Sequence, residues 1–259
     1  MRAVYRVWTT FRVARTTPCQ RFSQSKRGLS SKSNDQAESN QVSTLQQLQS
    51  KLIYPEPPTT NHHDLASFLA DAERSGLDPT STTYVGTHFE YTVASALSAL
   101  GFDLRRVGGR SDRGIDLLGT WSVPSSPDSP LRVVLQCKVS KAAGPSIVRE
   151  LEGTVLSAPT GWRGPGALGF LVADRAASKG IRDGIFHSRV PIGFIACDRA
   201  GRISQMLWNR QAEEQGLVGM GVGLRYSSSG EATECVLTFN GKHLRLRKAR
   251  KTKAQTKDG

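Results

Sequence analysis

Residues 114–123 read GIDLLGTWSV and residues 131–139 read LRVVLQCKV. Both have the composition of buried strands, and buried strands seldom carry Asp, Gln or Lys without a partner or a task. Side chains two apart on a strand share a face, so Gln136 and Lys138 are neighbours. If the two strands pair antiparallel across the loop between them, the start of one lies beside the end of the other. That pairing brings Asp116 next to Gln136 and Lys138. A carboxylate, an amide oxygen and an ammonium gathered at one point of a sheet suit phosphodiester hydrolysis. Asp116 and Gln136 offer oxygen ligands to Mg²⁺, with Mn²⁺ as a substitute, and such an ion keeps several of its waters. Lys138 beside them is placed to orient a water and to offset charge building on phosphorus. Glu90, upstream, is a further outer ligand or water-holding group. A structural alternative gives the same residues no chemistry: Asp116 closes a turn, Gln136 is a surface amide and Lys138 reaches from an edge strand into water.

The elements that would position these residues follow from pattern. Phe89, Val93, Leu97 and Leu100 mark one face of a helix that Gly101 stops, with Glu90 at the edge of that face. Strands are expected at 102–107, 114–123 and 131–139, separated by the turn-forming GGRSDR and PSSPDSP. A helix in SIVRELEGTVLSA, a strand in ALGFLVADR, a helix in AASKGIRDGIFHS and a strand in PIGFIACD follow. This order predicts an α/β fold with a mixed central sheet flanked by helices: hairpin-connected strands first, then parallel strands added through crossovers. SQMLWNRQAEEQG is expected to be helical, and LRYSS with ECVLTF a closing pair of strands.

Charge divides the chain. Residues 1–33 carry eight Lys/Arg and no acid; residues 242–259 carry eight Lys/Arg and one acid; the span between them holds 19 basic and 21 acidic side chains. The basic excess therefore lies at the ends. The first end is Arg-rich, Ser/Thr-rich and acid-free, with Val4, Trp8 and Phe11 between arginines, which predicts a mitochondrial transit peptide over 1–33. A polar, Pro-broken linker is expected over 34–63, a folded domain over 64–240 and a basic tail over 241–259. Arg110 and Arg113 of the GGRSDR loop, Lys141, and Arg245, Arg247 and Lys248 of the tail are the candidate phosphate contacts, with Arg105 and Arg106 adjoining. Cys19, Cys137, Cys197 and Cys235 form no C-x-x-C pair and the five histidines show no ligand spacing, which argues against a zinc or disulfide framework. No apolar run is long enough to predict a membrane span.

The ordered set GTHFE, LGF, GGRSDRGIDL, VVLQCK, IVRELEGTVL, GFLVADRAASKG and PIGFIACDRAGRI resembles the restriction-endonuclease-like superfamily, the PD-(D/E)xK nucleases, in their Mrr-like branch, over residues 86–203. The resemblance implies a restriction endonuclease-like core and a Mg²⁺-dependent deoxyribonuclease in which Asp116 matches the metal-binding aspartate, Lys138 the motif lysine and Glu90 the helix-borne glutamate. Asp112 is a weaker match to a segment the family keeps acidic. Gln136 stands where most of the superfamily has Glu or Asp; the Mrr-like branch often carries Gln there. A neutral amide attracts Mg²⁺ less than a carboxylate does, and this leaves a second reading, a nuclease-fold DNA-binding protein without catalysis. Taken whole, with its basic N-terminus, the chain resembles the fungal mitochondrial family named as required for respiratory growth, member seven. That resemblance implies a mitochondrial location and a part in maintaining mitochondrial genome function.

Overall fold

The computed structural model describes residues 52–109, 114–139, 144–226 and 232–244. From Tyr54 onward the described residues belong to one unit; of a second, over residues 6–53, only 52 and 53 are described. Arg110, Asp112, Arg113, Lys141, Arg245, Arg247, Lys248 and the whole of 1–33 lie outside the described residues.

Six strands form the central sheet in sequence order: β1 (Phe102–Arg106), β2 (Leu117–Trp121), β3 (Leu131–Lys138), β4 (Ala167–Ala173), β5 (Ile192–Cys197) and β6 (Ile203–Trp208). The first three pair antiparallel, β3, β4 and β5 run parallel, and β6 returns antiparallel. Every residue of β4 and β5 is buried, as both-face burial in a parallel sheet requires. The expected mixed sheet flanked by helices is thus the observed fold class.

The helices cover both faces. On one side lies α2 (Thr82–Ser98), whose Phe89, Val93 and Leu97 pack on Leu117, Leu135, Phe170 and Val172. On the other lie α3 (Ser146–Leu156) and α4 (Lys179–His187), whose Leu151, Val155, Ile181 and Ile185 pack on Leu171, Ile192 and Phe194. Each of α2 and α4 opens on a serine whose hydroxyl accepts a main-chain hydrogen bond, Ser81 from Tyr84 and Ser178 from Ile181. α1 (Leu65–Ser75) opens on a capping box between Asp64 and Ser67 and packs Phe68 and Ala72 on Tyr91 of α2. Ahead of α1, within the stretch expected as linker, Tyr54 lies edge-on to Trp162 and His62 Nδ1 is 2.8 Å from the Tyr91 hydroxyl. A second sheet of β7 (Met220–Tyr226), β8 (Ala232–Phe239) and β9 (Lys242–His243) adds Met220, Cys235 and Leu237 to the core on the α2 side. It contains the expected closing pair.

One expectation fails. SQMLWNRQAEEQG is not one helix: its first residues form β6, and only Arg210–Ala212 is α-helical (α5), followed by a π-helical turn at Glu213–Leu217. The open edge of β5 takes β6 as its hydrogen-bonding partner, which outweighs the helical spacing. Asn209 fixes the change of structure. Its Oδ1 accepts from Ile192 N and Ala212 N while its Nδ2 donates to the carbonyls of Ile185, Ser188 and Val190, with the residue 1% exposed.

Candidate active site

The β2–β3 register decides the first geometry. Leu117 faces Leu135, so one residue further out Asp116 is set against Gln136. Asp116 is tied to its neighbours on both sides: its N–H donates to Leu135 O at 3.0 Å, and its carbonyl accepts from Val107 and Gly108, both at 2.9 Å. Its carboxylate Oδ2 accepts from the main-chain N–H of Cys137 at 2.6 Å. The carboxylate is therefore held on the last residues of β3.

Gln136 pairs with Leu171 and Lys138 with Ala173 across β3–β4, and both partners belong to the core beneath α3 and α4. Gln136 and Lys138 share that face. Gln136 is 3% exposed, and its Oε1 is buried without a hydrogen-bond partner. A buried amide oxygen in that condition costs free energy and calls for an explanation. Lys138 is only partly covered, and its Nζ is 3.9 Å from Glu150 Oε2 on α3. Such a partly exposed pair is weak, so Lys138 keeps its reach.

Two glycines hold space for these groups. A β-carbon on Gly114, at φ +78°, would come within 2.9 Å of Gln136 Nε2 and 3.0 Å of Thr154 Oγ1. One on Gly108 would stand 3.0 Å from the Asp116 Cα and 3.1 Å from Asp116 Oδ1. Thr154 and the spacing role of these glycines were not legible in the sequence, since they depend on where α3 and the 107–116 loop come to rest.

Glu90 arrives from the opposite face. Its Oε2 accepts from Arg106 Nε at 2.5 Å, each side chain being 12% exposed. Its link to the other candidates runs through Cys137. Burial first, then the carboxylates of Asp116 and Glu90, push the Cys137 thiol well above its ordinary range. Glu90 and Cys137 also line a cavity of about 380 Å³ between α2 and the sheet. Of the expected phosphate contacts that are described, Arg106 is committed to Glu90, and Arg105 lies 4.3 Å over the Tyr54 ring.

The Asp116 carboxylate and Gln136 Oε1 are hard oxygen donors of the type a divalent cation takes. Among the described residues, no three His, Cys, Asp or Glu side chains are grouped so as to hold a metal ion. A cation here would rest on one or two side chains and on water.

The profile of the family described as Required for respiratory growth protein 7 matches residues 81–129 and 125–223, more than half of the chain. The chain belongs to this family. Both matched spans fall on the sheet and helices that build the site, so Glu90, Asp116, Gln136 and Lys138 all lie within the respiratory-growth family's own domain. An uncharacterized mitochondrial protein of Schizosaccharomyces pombe is 39% identical over 103 residues, covering 39% of this chain and 42% of that protein. The chain thus spans under half the length of this relative. The mitochondrial location expected from residues 1–33 agrees with the relative and with the family's description. Among solved structures, MspJI restriction endonuclease in complex with a 27-mer oligonucleotide aligns over 57% of this chain and 33% of its own, at 14% identity and a TM-score of 0.32. That score is too low to transfer fold or chemistry. Among the described residues, no helix is long and apolar enough to cross a membrane.

Proposed function

We propose that this respiratory-growth family protein is a Mg²⁺-dependent DNA endonuclease of the mitochondrial matrix, and that its hydrolysis of phosphodiester bonds serves mitochondrial genome maintenance. One observation carries the reading: the buried, unpartnered Oε1 of Gln136, set against Asp116 and on the face of Lys138. An oxygen left in that state is accounted for by a cation ligated there.

Asp116 and Gln136 would hold Mg²⁺, or Mn²⁺, which would supply positive charge to offset that on the phosphate and to make a water more acidic. Asp116 is oriented for this by its hydrogen bond from Cys137 N, which fixes Oδ2. Lys138, partly exposed at the strand end, donates a hydrogen bond to a water or to a phosphate oxygen and stabilises charge in the transition state. Glu90 acts from the far side of Cys137, orienting water through the carboxylate that Arg106 anchors.

The test is cleavage of supercoiled plasmid and of branched and single-stranded oligonucleotides with Mg²⁺ or Mn²⁺. Metal-dependent cutting is expected, and Asp116→Ala and Lys138→Ala should each lower it about 100-fold or more. Cutting that survives both substitutions would remove the site.

The amide at position 136, a weaker ligand for Mg²⁺ than a carboxylate, favours a second reading, a DNA-binding protein that does not cut. Under it the tail carries the affinity. Removing residues 245–259 should weaken DNA binding and flatten its salt dependence by nearly one unit of slope per lost phosphate contact.

A further inference from the structure

The cavity beside Glu90 lies at the carboxyl ends of the parallel strands: Val139 follows β3, Asp174 follows β4 and Arg199 comes two residues after β5. Open α/β sheets take their ligands in such a crevice. The first turns of α2 form its other wall through Val85, Gly86 and Phe89. Its volume of about 380 Å³ is at the small end of the roughly 300–1,000 Å³ range of ligand pockets.

Its chemistry is divided. Val85 and Val139 offer apolar surface; Arg175 and Arg199 are exposed cations at the rim; Asp174 contributes a carboxylate whose side chain is only 13% exposed. Asp174 Oδ1 is buried with no hydrogen-bond partner, and Oδ2 is 3.5 Å from Arg199 Nε, a loose pairing with an arginine 64% exposed. A buried carboxylate oxygen without a donor, beside one that is only loosely paired, suits a ligand with N–H groups, and the carboxylate repels a bare anion. The rim arginines ask for a phosphate. A ligand with a flat apolar body, an N–H edge and a phosphate is a nucleotide. The wall residue Cys137 gives its main-chain N–H to Asp116, so the cavity backs directly onto the candidate hydrolytic carboxylate.

We propose that this cavity receives one unpaired nucleotide of a DNA strand, its base edge on Asp174 and its phosphate on Arg175 and Arg199. The substrate class is then DNA with an extrahelical or single-stranded nucleotide beside the bond to be cut. The inference rests on the assignment of Asp116, Gln136 and Lys138 to phosphodiester hydrolysis. A base in such a pocket gains apolar contact with Val85 and Val139 and a hydrogen bond to Asp174 that a sugar-phosphate alone lacks.

The test uses the full chain without divalent metal and compares, by fluorescence anisotropy, three duplexes: one with a single extrahelical nucleotide, one with an abasic residue at that place, one fully paired. The extrahelical nucleotide should bind about tenfold more tightly than the abasic residue. Gly86→Leu should bring that ratio to within about twofold. A β-carbon at Gly86 meets nothing within 4 Å, and the position is helical, so the added side chain fills the cavity without breaking the fold. Asp174→Ala, which removes an unpartnered buried oxygen, should do the same. Equal binding of all three duplexes, or a preference that survives Gly86→Leu, overturns the inference. The plasmid assay separates the two claims. Metal-dependent cutting without the preference leaves hydrolysis standing and removes the pocket; the preference without cutting keeps the nucleotide pocket and removes hydrolysis.

Discussion

Asp116 stands opposite Gln136, on the face that Lys138 shares, because of two numbers, the period of two along a strand and the Leu117–Leu135 register. At the residue scale the state of Gln136 is the sharpest handle. Gln136→Glu places a carboxylate at a site 3% exposed. Without divalent ions it should lower the melting temperature, because burying a charge is costly. Added Mg²⁺ should restore it, with a larger shift than the wild type shows, since a cation bound only by the native state stabilises it. An equal Mg²⁺ shift in both proteins would mean that position 136 ligates nothing. Glu90 gives a second handle. Glu90→Gln leaves the Arg106 charge unpaired at a position 12% exposed, and denaturant unfolding should register a loss of about 3 kcal/mol. Arg106→Leu added to that variant should recover part of the loss.

The elements set how tightly the site is framed. β1 lies against β2 at Gly119, where a β-carbon would stand 1.9 Å from the Asp103 carbonyl oxygen. No rotamer relieves a clash with main chain. Gly119→Ala should therefore prise β1 from β2 and cost about 3 kcal/mol or more in chemical unfolding, whereas Gly86→Ala should be neutral or stabilising. The same displacement would shift the Val107–Asp116 hydrogen bond, so DNA cleavage should fall with it. Much of this framework was legible beforehand. ALGFLVA and PIGFIAC are unbroken apolar runs of strand length, and parallel strands buried on both faces read that way. The segment from Ser204 to Gly216 misled because Met206 packs into the core on the α2 side and Leu207 toward the α3–α4 side, leaving no clean alternation to distinguish a strand. Its structure is decided by the edge of β5 and by the buried amide of Asn209, neither of which local spacing encodes.

For the molecule as a whole, pH offers a measure of how completely the core closes. Burial raises the Cys197 thiol from 9.0 to about 12 and the Cys235 thiol from 9.0 to about 11. Above pH 9 the unfolded chain loses these protons while the native state keeps them, so stability should be unaffected below that pH. It should then fall as pH rises toward 11 and 12. Denaturant titrations at pH 8 and pH 10.5 should show the loss, and Cys235→Ala should make it shallower; an unchanged slope would mean that the second sheet does not seal Cys235.

The sequence by itself determined the sheet, the helices on both of its faces, and the register that sets Asp116 opposite Gln136 on the face Lys138 shares, because these follow from periodicities and from one short antiparallel connection. Only the tertiary structure decided that Glu90 would be bound to Arg106, that Gln136 Oε1 would be left unpartnered, and that Asp174 and Arg199 would share a cavity with α2. Those outcomes depend on where a helix crosses a sheet and on how strands far apart in the chain end side by side. Packing of the whole core sets them, and no local spacing records it.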